Sequence, residues 1–241
     1  MAKQSLFYED VIPITKERHA GWSVTQGKDY AFAAEAHSVP LMYSEFQQAC
    51  VAMPIVFGEN NDSYTPLAML GMQPNKSLMI DGEGAYTGEY CPAFLRRYPY
   101  IFARAPNAEE EQFALCVDET YSGVDKTGEA GEALFGDDEE PSDYLKKVME
   151  FARVYEIELR KTAALMTLLK DYELLDPMNA TITLKSGEKI SLTRFFVVSQ
   201  ERFRALDAEK VAALHENGAI ELICYHRASL KTMERLRDMV A

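Results

Sequence analysis

Two adjacent arginines, Arg96 and Arg97, stand between Pro92 and Pro99 with Tyr90, Tyr98 and Tyr100 around them. A guanidinium is a planar fork of N–H donors that matches a carboxylate or phosphate, and tyrosines add stacking and hydroxyl contacts. The set could bind a small anionic or amino-acid-like ligand. In the structural alternative, one arginine pairs inside the fold with Glu45 or Asp81 while the other lies in solvent. Glu45 and Asp81 are also the carboxylates in this region that could act as acid and base, if both reached one substrate. A carboxylate at a helix start, where Glu45 falls, has a simpler explanation in the helix dipole. His226 follows an apolar run and could mark a site at its end, or be a hydrogen-bonded structural histidine. The candidate ligand-binding residues are therefore Arg96, Arg97, Glu45, Asp81, Tyr90, Tyr98 and His226.

Other chemistry lacks its signature. There is no GxSxG nucleophile elbow, no HExxH and no CxxC pair, so no metal and no cofactor is expected. The cysteines at 50, 91, 116 and 224 read as reduced thiols rather than a disulfide framework. No apolar run approaches the ~20 residues of a membrane span, and the first residues lead into Glu9-Asp10, so a soluble, cytoplasmic chain without membrane insertion is expected. The net charge of -13 is local, because 107–143 hold 13 acidic residues against the single Lys126. That distribution argues against nucleic acid, whose phosphates need clustered Lys and Arg. The acidic stretch reads as a solvated linker or as a docking segment for a basic partner.

The elements that must position these residues suggest an α+β fold. The chain of 241 residues, 47% hydrophobic, is long enough for one large core or two small joined ones. A β-rich half, 1–117, is expected to carry strands at Val11–Ile14, Tyr30–Ala34, Pro54–Phe57, Ser77–Asp81, Tyr100–Arg104 and Phe113–Val117. One helix, Glu45–Val51, interrupts it with a capping box from Ser44 to Gln47. Asp81-Gly82-Glu83-Gly84 reads as a hairpin turn. The segment 118–141, with glycines at 123, 128, 131 and 136, reads as a long acidic connector. The half 142–241 opens on a helix capped by Ser142 whose apolar face is Leu145, Val148, Ala152, Tyr155, Leu159, Ala163, Met166 and Leu169, ending near Asp176-Pro177. A hairpin about Ser186-Gly187 follows, with Phe195–Val198 prolonging its second strand. Then come a helix from Asp207 to Asn217-Gly218, a buried strand at Ala219–Tyr225 and a last helix at Ala228–Val240. The long helix should pack on a small antiparallel sheet, with both halves sharing one core.

The chain resembles the SapC family of small proteins named after a bacterial surface-layer locus, distinct from the membrane permease of the same label. The resemblance covers nearly the whole chain. It rests on Val39-Pro40-Leu41, Glu45-Phe46, Pro54-Ile55-Val56-Phe57, Leu70-Gly71, Asp81-Gly82, Tyr90 with Pro92, and Arg96-Arg97-Tyr98-Pro99. Further on it rests on Leu174-Leu175-Asp176-Pro177, Leu214, Gly218-Ala219-Ile220-Glu221, Tyr225-His226 and Ser229-Leu230. Ile80 stands where the family tends to have an aromatic residue, and Tyr86 where it tends to have Trp. The resemblance carries no catalytic assignment. It implies an accessory or binding role linked to TonB-dependent nutrient uptake or surface-layer systems, with a partner protein or an amino-acid- or peptide-like ligand. An enzyme acting on a peptide or amino acid, and a purely structural interaction protein, are the alternatives.

Overall fold

The computed structural model describes residues 6–27, 29–104, 113–184 and 187–240. Glu109, Glu110 and Glu111 of the acidic stretch and Ser186 of the expected turn lie outside them.

The described residues form three antiparallel sheets. The largest has five strands in the order β10-β11-β4-β5-β3, so it draws on segments before and after the acidic stretch. Its members are β3 (Ser38–Pro40), β4 (Ile55–Asn60), β5 (Ser63–Met69), β10 (Leu175–Thr183) and β11 (Lys189–Val198). Asn61 and Asp62 close the β4–β5 hairpin, both at positive φ, as a two-residue turn matched to strand twist requires. The edge position of β10 accommodates Pro177, which has no N–H to donate. A second sheet joins β1 (Val11–Pro13), β7 (Phe113–Asp118) and β6 (Tyr100–Arg104) in that order.

Helix α4 (Asp143–Asp171) spans two apolar clusters. Leu145, Val148 and Ala152 pack with the second sheet's cluster, whereas Tyr155, Leu165, Met166 and Leu169 pack with the main core. The Ser142 hydroxyl caps it by accepting from Leu145 N–H at 3.1 Å. Thr162 takes the inward place expected of Ala163, since its Oγ1 accepts from Tyr43 N–H at 3.0 Å and donates to Glu158 C=O at 2.7 Å. Leu159 is turned partly to solvent. The helix ends before Asp176-Pro177 because Glu173 adopts a positive φ and Leu174 N–H returns to Leu169 C=O at 2.9 Å.

Several elements differ from expectation. Tyr30–Ala34 holds a 3-10 turn, Ala31–Ala33, not a strand. Ser77–Asp81 contributes only the bridge Ile80↔Tyr86, closing the Asp81–Gly84 turn. A single helical turn, α1 (Lys16–His19), comes first; the helix expected at Glu45–Val51 is α2 (Phe46–Ala52), entered through a 3-10 turn Tyr43–Glu45, and the residue closing its start is Glu45, not Ser44. Ala219–Tyr225 belongs to a helix, α7 (Ala219–Ser229), whose buried residues 219, 222, 223, 226 and 229 recur at helical steps. Gly218, left-handed at φ 74, separates it from α6 (Ala208–Glu216), which Asp207 caps. The 118–141 segment is not an extended linker: β8 (Val124–Asp125) and β9 (Glu132–Ala133) flank β2 (Ser23–Val24). Gly131 is glycine because its φ is +96 and a Cβ would come within 2.6 Å of Val24 backbone. Two short helices, α5 (Gln200–Arg204) and α8 (Thr232–Asp238), complete the C-terminal part. Among the described residues no helix is long and apolar enough to cross a membrane.

His226, expected at a strand end, lies on α7 with no exposed surface. Its Nε2 accepts from Val198 N–H at 3.1 Å and its Nδ1 donates to Ile55 C=O at 2.8 Å, so it is neutral. One turn on, Ser229 Oγ accepts from Ile55 N–H at 2.9 Å.

Gly131→Ala should cost about 2–3 kcal/mol of unfolding free energy through backbone strain; wild-type stability in denaturant titration would show that the segment does not depend on that approach. Burial pushes His226 from its ordinary 6.5 down to about 4. The unfolded chain therefore binds that proton more tightly, so the stability is fully present above about pH 6.5 and lost as pH falls through about 4, by about 3 kcal/mol. Denaturation of wild type and His226→Gln at pH 7 and at pH 4 should show this loss in wild type beyond that of the variant; parallel losses would exclude it.

Candidate functional site

Pro92 opens a single-turn helix, α3 (Ala93–Arg96), and Arg97 ends it. Consecutive residues on a helix point about 100° apart, and the two arginines enter different surroundings. Arg97 is half-buried with its guanidinium carbon 4.5 Å from the Phe94 ring centroid, 4.6 Å from that of Tyr155 and 5.8 Å from that of Tyr8. Among the described residues it makes no ion pair, and its buried Nε has no hydrogen-bond partner. The pairing with Glu45 or Asp81 expected of one arginine is absent: π faces hold Arg97 instead. Glu156 lies nearby, its carboxyl raised by burial against the opposing charges of Arg97 and Arg160.

Arg96 is exposed. Its Nε donates to Cys91 C=O at 3.0 Å, and its guanidinium lies 5.5 Å from the Phe151 ring centroid on α4. The Gln26 amide donates to the Arg96 carbonyl at 2.7 Å and the Tyr98 carbonyl at 3.0 Å, fixing the backbone beneath it. Tyr30, Tyr90 and Cys91, half-buried, lie close enough to this arginine to feel its charge. Burial pushes the Cys91 thiol up to about 11, although Tyr30 and Arg96 oppose the rise, so it is protonated at neutral pH and not an activated nucleophile. Tyr86 donates to Tyr90 C=O at 2.5 Å.

Glu45 is buried and its acceptors are engaged by the fold. Oε2 accepts from Met42 N–H at 2.9 Å, and Oε1 accepts from Tyr90 O–H and Ala93 N–H, both at 2.7 Å. Burial and then the charge of Glu45 raise the Tyr90 pKa, so Tyr90 stays a donor. Asp81 is exposed and closes its own turn, with Oδ1 accepting from Glu83 and Ala85 N–H at 2.9 Å. Tyr98 is buried with its ring 4.1 Å from Phe32, and its hydroxyl donates to Asp118 Oδ2 at 3.3 Å. Burial would raise the fully buried Asp118 carboxyl, but Thr120 O–H and the N–H groups of Glu9, Thr120 and Asp10 hold it below its ordinary value.

The structure thus brings Glu45, Tyr90 and Arg96 together, with Arg97 beyond Tyr155. It leaves Asp81 on a surface turn and His226 in the core. Three clefts of 340–360 Å³ are lined by other residues, apart from Tyr98 in one of them. The convergence of two or more of Glu45, Asp81, Tyr90, Arg97 and His226 in one concavity, which an enzyme reading needs, is not what these clefts provide. Gln26, Tyr30 and Phe151 were not singled out by the sequence. Tyr30 gave no signal because a strand was expected there, and Phe151 none because it flanks the apolar stripe of α4.

Glu45→Gln should lower stability by about 2–3 kcal/mol, since an amide presents one donor-bearing nitrogen to N–H or O–H groups that need acceptors. Asp81→Asn, at the surface, should cost under about 1 kcal/mol. Equal denaturation midpoints for the two variants would contradict the structural role given to Glu45.

Comparisons with curated proteins and with solved structures find no match. The SapC family model matches residues 14–236, which include the five-stranded sheet, α7 and the arginine turn. By that match the chain belongs to the SapC family.

Proposed function

We propose that the chain is a non-catalytic binding protein that uses Arg96 to hold a carboxylate on an amino-acid-like or peptide ligand, or on an acidic side chain of a partner protein. The carrying observation is the contrast between Arg96 and its neighbours. Glu45, Tyr90 and Tyr98 spend their polar atoms on the fold, and Arg97 is enclosed by rings. Arg96 is exposed, braced through Nε and its own carbonyl, and its charge acts on Tyr90 and Tyr30. Bracing limits the entropy lost when a ligand docks. An open patch of this kind suits the end of a peptide or a protein surface better than an enclosed metabolite. It fits the accessory role that the family resemblance implies.

Titration of amino acids, short peptides and flavin into wild type and Arg96→Ala tests the reading. A carboxylate-bearing ligand should lose at least about tenfold in affinity, as a charged hydrogen bond is worth about 1.5–3 kcal/mol. Equal affinity in the two proteins would remove Arg96 from the site. If neither binds, the small-ligand form falls, and the partner-protein form requires that a pull-down partner of wild type be lost from Arg96→Ala.

A further inference from the structure

The outward side of α4 carries apolar residues that no described element covers. Val154 and Ile157 are 43% and 39% exposed. Lys161, Ala164, Leu168 and Asp171 continue from them at alternating steps of four and three residues. Such spacing draws one seam along a helix, and this seam faces away from the buried Tyr155, Thr162, Met166 and Leu169. Its second half floors a groove of about 350 Å³ between Tyr43 and Asn217, with Leu165 inside. One helix therefore offers apolar knobs in its first half and a hole for them in its second.

We propose that this seam is a homodimer interface, in which two copies of α4 run antiparallel across a two-fold axis level with Thr162 and Ala163. Ile157 of each copy then enters the other's groove against Leu168, the Lys161 stem lies over Ala164, and Val154 comes level with Asp171. One two-fold axis satisfies all of these layers at once, as an isologous contact demands. The small Ala164 lets the backbones approach, and the Lys161 stem covers it while the ammonium reaches solvent. Charge supports the same register. Asp171 has no ion pair or hydrogen bond among the described residues, and the register brings it beside Arg153 of the second copy, which is exposed and held only by Glu150 on its own helix. Parallel pairing would instead set Lys161 on Lys161 and Asp171 on Asp171. The seam is ~26 Å long, and its central layers bury little, so the dimer is of the weak class.

Light scattering and sedimentation of the full chain over a rising concentration series test this. The mass should climb from 27.2 kDa towards twice that value. Ile157→Glu and Ala164→Glu should stay monomeric with unchanged circular dichroism. Arg153→Asp should weaken the dimer at least about fivefold, and Asp171→Arg in the same chain should restore it. In a Cys224→Ser background, Ile157→Cys with Leu168→Cys should cross-link two copies on oxidation. A chain that stays monomeric throughout, or a dimer that Ile157→Glu leaves intact, overturns the proposal. A dimer without the cross-link overturns the antiparallel register. Arg96 takes no part in the seam, so these outcomes are independent of ligand binding.

Discussion

The clamp that α7 places on the seam of the main sheet is the contact on which the rest of the molecule depends. Among the described residues, strand β11 meets β4 through Phe195↔Gly58 and Phe196↔Phe57. Beyond that short ladder, Ile55 and Val198 would bring buried backbone groups with no sheet partner. His226 and Ser229 supply the partners from one face of one helix, satisfying Ile55 at both N–H and C=O and Val198 at N–H. A buried polar group without a partner costs about 1–3 kcal/mol, and these two side chains remove three such costs where the early and late strands join. The clamp also fixes the height of α7 over the sheet, which lets Ala219, Leu222 and Ile223 enter the main core.

Glu45 does similar work at the other end of the core. A buried carboxylate is tolerated when hydrogen bonds replace its water, and Glu45 draws its donors from the turn before α2, from Tyr90 and from the start of α3. Within the stretch from Val39 to Arg104, Glu45 and Tyr90 are tied to each other and Glu45 to backbone positions, so substituting either disturbs the fold before it disturbs a ligand. Tyr86 fits the same pattern: its hydroxyl ties to Tyr90, and its ring lies 5.7 Å from Tyr30.

Much of this was legible in residue order, for physical reasons that differ by element. Helix α4 declared itself through a long period and the Ser142 cap, and α6 through Asp207 and Gly218, because caps are local. Strands β1, β4, β6 and β7 were legible as apolar runs between turn residues. Ala219–Tyr225 was not, because a short run so densely apolar satisfies a strand and a buried helix alike. The acidic segment misled in another way. Its glycines looked like breakers, whereas Gly131 permits close approach to β2, a contact between residues far apart in sequence. The divided roles of the arginines were readable from helical geometry; which was which was not, because Tyr8 and Tyr155 come from distant parts of the chain.

The arginine turn shows how a fold can hold a cation without pairing it. Guanidinium is weakly hydrated, so moving Arg97 among Phe94, Tyr155 and Tyr8 sacrifices less hydration than an ammonium would, and each ring face returns attraction. A lysine there would keep the charge but lose the planar stacking. Because the turn is one helical turn long, placing Arg97 inward leaves Arg96 outward, and Gln26 then holds that orientation through the Arg96 carbonyl. The enclosed arginine therefore sets the direction of the exposed one. Exposure and bracing together leave Arg96 the cation of this pair able to exchange water for a carboxylate without disturbing the core.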